Sequence, residues 1–86
     1  MLSLVYAPVF VRQLNKLDEN LKEEVVEKNE MFKDVSNHQY LKVHKLHGKL
    51  NNRYSFSVNY NYRIIFEYAT KNNVNILAIG DHNIYK

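Results

Sequence analysis

Residues 55–68, SFSVNYNYRIIFEY, alternate apolar and polar side chains in two runs broken by Asn59-Tyr60-Asn61. Period-two alternation is the pattern of half-buried β-strands, and here it sets one arginine, Arg63, just before Ile64-Ile65-Phe66. The length of the turn decides where that arginine points, because side chains alternate faces along a strand and directly paired residues share a face. A two-residue turn at Tyr60-Asn61 would pair Val58 with Arg63 and place the guanidinium among buried apolar groups. A three-residue turn at Asn59-Tyr60-Asn61 pairs Ser57 with Arg63 instead. It sorts Ser55, Ser57, Arg63 and Glu67 onto one face and Phe56, Val58, Tyr62, Ile64 and Phe66 onto the other. The second arrangement buries no unpaired charge and is therefore predicted. It asks for a residue with positive φ, which Asn61 can supply.

The elements around this hairpin follow from periodicity. Leu2, Leu4 and Tyr6 alternate with Ser3 and Val5 in a short strand that Pro8 stops. Pro8 suits the first turn of a helix, where its missing N–H costs nothing. Phe10, Leu14 and Leu17 then form one helical stripe. Asp18 can cap a second helix, with Glu19, Glu23 and Glu24 near its N-terminal end. Leu21, Val25, Phe32 and Val35 give that helix its buried face, and Asn29 interrupts it. Residues 36–52 read as loop with a short strand around 41–46, and Gly48 and Asn51-Asn52 are turn residues. Strands are predicted at 53–59, 62–68 and 74–79, with Gly80 ending the last. The order is β-α-α-β-β-β. Helices in one block and strands in another argue an α+β fold, an N-terminal strand and αα-hairpin packed on one face of a mainly antiparallel sheet. The opposite face of that sheet is then free to carry a site.

With 86 residues, positions 1–86 are read as one domain with one modest core. There is no cysteine to form a disulfide or a thiolate metal site. The N-terminus is a poor signal peptide and no apolar run reaches the length of a membrane span, so a cytoplasmic protein with no membrane association is expected. Charge is unevenly placed. Residues 1–35 carry five Lys/Arg against seven Asp/Glu, whereas residues 36–86 carry seven against two, together with all four histidines. Such asymmetry fits contact between the second half and a polyanion; it also fits chance segregation of solvated charges.

The densest cationic stretch is His44-Lys45-Leu46-His47-Gly48-Lys49, followed by Arg53. No metal-ligand spacing accompanies its histidines, and no metal or cofactor is expected. The C-terminal GDHNIYK carries His82 and Tyr85. A frayed end is one reading of it; a tail that folds back beside Arg63 is the other. In the second case histidine can exchange protons near neutral pH, tyrosine can stack on a base and arginine can hold phosphate bidentately. Those are the parts of a metal-free RNA-cleaving site. A cationic sheet with exposed tyrosines can equally be a passive RNA- or protein-binding surface, whose function would survive replacement of His44 and His82.

Taken in order, Tyr6-Ala7-Pro8, Leu46-His47-Gly48-Lys49-Leu50, Tyr54-Ser55-Phe56-Ser57-Val58, Tyr62-Arg63-Ile64-Ile65-Phe66 and Gly80-Asp81-His82-Asn83-Ile84-Tyr85 resemble the RelE/ParE superfamily of type II toxins over nearly the whole chain. The resemblance implies a RelE-like fold, a cognate antitoxin as partner, and, in the branch with RelE-, YafQ- and YoeB-like members, metal-independent cleavage of mRNA on the ribosome. It implies catalytic roles for His44, Arg63, His82 and Tyr85; the cationic stretch adds Lys45, His47, Lys49 and Arg53, and the shared hairpin face adds Ser57, as substrate-binding groups. Within that scheme His44 is the base, His82 the acid and Arg63 the phosphate-holding group. The chain departs from the family where RelE has two lysines, here Tyr54 and Phe56, and where YafQ-like members have a histidine and an aspartate, here Ser57 and Asn61. ParE-like members share the fold but inhibit DNA gyrase and generally lack the histidines. Gyrase inhibition, or an inactive binding member of the same fold, is the alternative reading.

Overall fold

A computed structural model describes residues 1–48 and 52–81. The chain opens with strand β1 (Ser3–Tyr6), followed by helices α1 (Pro8–Asn15) and α2 (Glu19–Phe32) and a 3-10 turn at Val35–Asn37. Four strands complete it: β2 (His44–Lys45), β3 (Tyr54–Ser57), β4 (Tyr62–Thr70) and β5 (Asn73–Asp81). The sheet order is β1-β5-β4-β3-β2, with β1 parallel to β5 and every other pair antiparallel. Two helices on a five-stranded mixed sheet make the α+β arrangement that the periodicity predicts. No helix among the described residues is long and apolar enough to cross a membrane.

Local signals explain the helix boundaries. Pro8 opens α1, and Asp18 Oδ1 accepts the Leu21 N–H at 2.8 Å to cap α2. That bond satisfies one of the donors a helix start leaves orphaned. Asp18→Ala should therefore cost about 1 kcal/mol of stability in urea titrations. At the other end, His38 Nε2 bonds to the carbonyl of Phe32 at 2.8 Å and its ring stacks on the Phe32 ring. This histidine is occupied with ending a helix.

The buried face of α2 differs from the predicted one. Val35 lies beyond the helix in the 3-10 turn and is exposed, whereas Asn29 is buried with Val25 and Phe32. Asn29 Oδ1 has no partner among the described residues. The main core joins α1 and α2 to β3, β4 and β5 through Phe10, Val25, Phe32, Phe56, Ile64, Phe66, Val74, Ile76 and Ile79. Ile76 and Ile79 lie three apart, an odd spacing that should put them on opposite faces. A bulge reconciles them: Ile65 faces Ala78 but Phe66 faces Ile76, so Leu77 is the extra residue. Where β1 stops, Gln13 Oε1 on α1 accepts the Ile79 N–H at 2.8 Å and closes the exposed edge of β5.

Candidate active site

The β3–β4 register is the one that a three-residue turn requires. Ser57 pairs with Arg63 and Phe56 with Ile64, and the Val58 N–H reaches the Tyr62 carbonyl at 3.0 Å across Asn59-Tyr60-Asn61. Phe56, Val58, Ile64 and Phe66 lie in the core, so Arg63 and Ser57 stand on the face away from it. The turn is built differently from the prediction. Among the described residues only Lys42, Asn52 and Gly48 have positive φ, so Asn61 does not provide one. The side chain of Asn59 does the work instead: its Oδ1 accepts the N–H groups of Asn61 at 2.8 Å and Tyr62 at 3.0 Å. A side-chain oxygen that satisfies two turn donors removes the need for a left-handed residue.

Arg63 is half-buried, and its Nη1 donates to the carbonyls of Asn59 at 2.9 Å and Tyr62 at 3.2 Å. On the other side it pairs with Gly80, which contributes no side chain to crowd it. His44 reaches the same face through β3, since His44 pairs with Ser55 and Ser55 shares a face with Ser57. Two strand spacings, about 9.5 Å, separate the β2 and β4 backbones that carry His44 and Arg63.

The protonation pattern of His44 follows from its partners. Its Nδ1 lies 2.9 Å from the Lys42 carbonyl, which can only accept, so Nδ1 carries the proton. Lys42 presents that carbonyl from a left-handed backbone, φ 59°, uncommon for a residue other than glycine. In the neutral ring Nε2 is then the basic atom. It lies 3.4 Å from Ser55 Oγ, a long contact that holds the imidazole loosely.

The other predicted residues divide. Lys45 and His47 are exposed next to His44. Arg53 is not a free cation: its Nη1 meets Glu67 Oε1 at 2.7 Å, and Glu67 Oε2 accepts from Asn75 Nδ2 at 3.1 Å. The face is also less open than predicted. Ser55 and Ile65 are 0% and 6% exposed, and with Leu46 they are buried outside the main core. β5 runs through Gly80 to Asp81, two residues past the predicted 74–79. Lys49, His82 and Tyr85 lie outside the described residues. Among the described residues no three His, Asp or Glu side chains gather to hold a metal ion. Two contributors escaped the sequence reading. Asn59 carried a signal, an Asn at the start of a short turn; Lys42 carried none.

Comparison with known proteins places this arrangement in context. A family model described as the RelE-like toxin of the type II toxin–antitoxin system HigB matches residues 10–82. No curated protein matches by sequence. Among solved structures, the toxin–antitoxin complex RelBE2 from Mycobacterium tuberculosis superposes with a TM-score of 0.74 at 22% identity, covering 94% of this chain and 98% of that one. The YoeB–YefM complex from Staphylococcus aureus gives 0.72 at 16% identity, with 95% and 98% covered. The archaeal RelE–RelB complex from Pyrococcus horikoshii gives 0.72 at 18%, with 93% of each chain covered. At these identities the likeness is one of fold.

Proposed function

Because this chain belongs to the HigB-like family of RelE-like type II toxins, we propose that it poisons translation as a metal-independent endoribonuclease that cuts mRNA held by the ribosome. The observation that carries this reading is the shared face of His44 and Arg63, with His44 Nε2 left as the basic atom by the Nδ1–Lys42 bond. In this scheme Nε2 takes the proton of an RNA 2′-hydroxyl, whose oxygen attacks the adjacent phosphorus. The P–O5′ bond breaks, leaving a 2′,3′-cyclic phosphate and a 5′-oxygen that His82 protonates. Arg63 holds the phosphate and stabilises its developing charge. Tyr85 stacks on or orients a base. Lys45, His47 and Lys49 hold the flanking backbone with Ser57, and Arg53 contributes only when its pairing with Glu67 loosens.

A protein of this size cannot enclose a message, and phosphate contacts carry no sequence information. A ribosome supplies the missing orientation by presenting the message in a fixed, unstacked form. The toxin–antitoxin complexes among its structural neighbours support a cognate antitoxin as the partner that keeps this toxin silent.

Primer extension on a translated message, in a purified translation system with and without ribosomes, tests the reading. Translation requires magnesium, so the metal question is put separately: cleavage of ribosome-stalled message should persist when magnesium is exchanged for hexamminecobalt(III), an inert cation that cannot coordinate a reacting oxygen. Cleavage confined to ribosome-bound message, and lowered about 100-fold or more by His44→Ala, is the expected result. Intact message together with inhibited gyrase would assign the chain to the ParE-like activity instead.

A further inference from the structure

Arg63 does not hold its own position, and its surroundings identify what does. Both contacts made by its Nη1 are to main-chain carbonyls of the β3–β4 turn, those of Asn59 and Tyr62. The Arg63 side chain makes no other hydrogen bond among the described residues. A guanidinium has five N–H donors in a planar fork. With Nη1 taken up, the Nε–Nη2 edge has no partner among the described residues, and that edge matches two oxygens of a phosphate. The aim of this edge is only as good as the placement of the two carbonyls.

The Tyr62 carbonyl also accepts the Val58 N–H at 3.0 Å, and the turn that carries both carbonyls is braced by the Asn59 side chain. Its Oδ1 accepts from the Asn61 and Tyr62 N–H groups and fixes the turn internally. Its Nδ2 donates to Glu24 Oε1 at 2.7 Å, which ties the turn to α2 across 35 positions of sequence. Half-buried Asn59 thus bonds the turn through Oδ1, α2 through Nδ2 and Arg63 through its own main-chain carbonyl. An Asx turn alone would need only the oxygen. The bond to Glu24 adds a second attachment, from the turn to α2.

We infer that Asn59, anchored by Glu24, is a positioning residue that aims the Nε–Nη2 edge of Arg63 at the scissile phosphate. This rests on the ribonuclease reading for its rate consequence but not for its geometry. A misplacement of about 1 Å costs on the order of 100-fold in rate. Asn59→Ala should therefore lower kcat on ribosome-held message about 100-fold while KM changes little. Glu24→Ala should produce a smaller loss that Glu24→Gln, which keeps an accepting oxygen, largely recovers. Asn59→Asp keeps the turn acceptor but sets a carboxylate against Glu24, and should fall between wild type and Asn59→Ala.

The accompanying readout is the NMR spectrum of the Arg63 guanidinium in the full chain. Hindered rotation gives separate Nη signals in the wild type, and they should merge in Asn59→Ala. If Asn59→Ala does not fold, Glu24→Ala carries the same two measurements. Separate Nη signals that persist in the variants would overturn the inference. So would a rate loss no greater than the unfolded fraction. Should the wild type cleave no message, the ribonuclease reading fails and the guanidinium spectra alone decide the positioning role.

Discussion

Arg63→Ala should lower cleavage of ribosome-bound mRNA by about 100- to 1000-fold, the loss associated with removing one preorganised donor to a developing oxyanion. Arg63→Lys should recover little of it. A lysine restores the charge but is a point donor, unable to hold two turn carbonyls and still offer a planar edge to phosphate. Charge and geometry separate in the salt dependence. Arg63→Ala removes one phosphate contact and should make the slope of log affinity against log salt shallower by about 0.7 for single-stranded RNA. Arg63→Lys should keep most of the slope while losing the rate. A lysine variant as fast as wild type would reduce the role of Arg63 to electrostatic attraction. Because Phe56 and Ile64 hold the strands from the core side, either substitution should leave the fold intact, as a melting curve will show.

The placement of Arg63 was legible because two physical constraints coincide on it. Alternation assigns each residue of the hairpin a face, and the cost of burying a guanidinium picks the turn length. Nothing comparable marks the turn's internal construction. Asn59 and Asn61 are both plausible turn residues, and the chain uses the first as a hydrogen-bonding hub rather than the second as a left-handed hinge. Asn29 misleads for the opposite reason. A polar residue in a 3.6-residue stripe reads as a break, yet α2 buries it with one oxygen that has no partner among the described residues. An unmet buried acceptor costs about 1–3 kcal/mol, which the neighbouring aromatic core has to outweigh. His44 was identifiable as a candidate base from its residue type, but its tautomer depends on the left-handed backbone of Lys42. Arg53 looked like a free cation because its partner, Glu67, is fourteen residues away and meets it only through sheet pairing.

The largest expected effect on stability comes from Phe32, the last residue of α2. It is completely buried, and its ring centroid lies 4.5 Å from that of Phe56, 4.6 Å from Phe66 and 4.6 Å from His38. No other helix residue joins α2 to both β3 and β4 through aromatic contacts among the described residues. Phe32→Ala removes the buried area and leaves a cavity, at a cost of about 3–5 kcal/mol. It also deletes aromatic pairs, each worth about 0.5–1.5 kcal/mol beyond area. For a chain of this length total stability is on the order of 4–13 kcal/mol, so the variant should be largely unfolded or melt far below wild type in calorimetry. Phe32→Leu, which fills most of the space but stacks on nothing, should cost less. The consequence reaches the candidate site, because Phe56 and Phe66 flank the residues that carry Ser57 and Glu67, and because His38 stacks on Phe32 where the chain turns toward His44. A Phe32→Leu protein that stays folded should therefore lose activity through looser registration of β3 against β4, visible as faster amide exchange at Ser57 and Arg63. Unchanged exchange there, with a lowered melting temperature, would confine the role of Phe32 to stability.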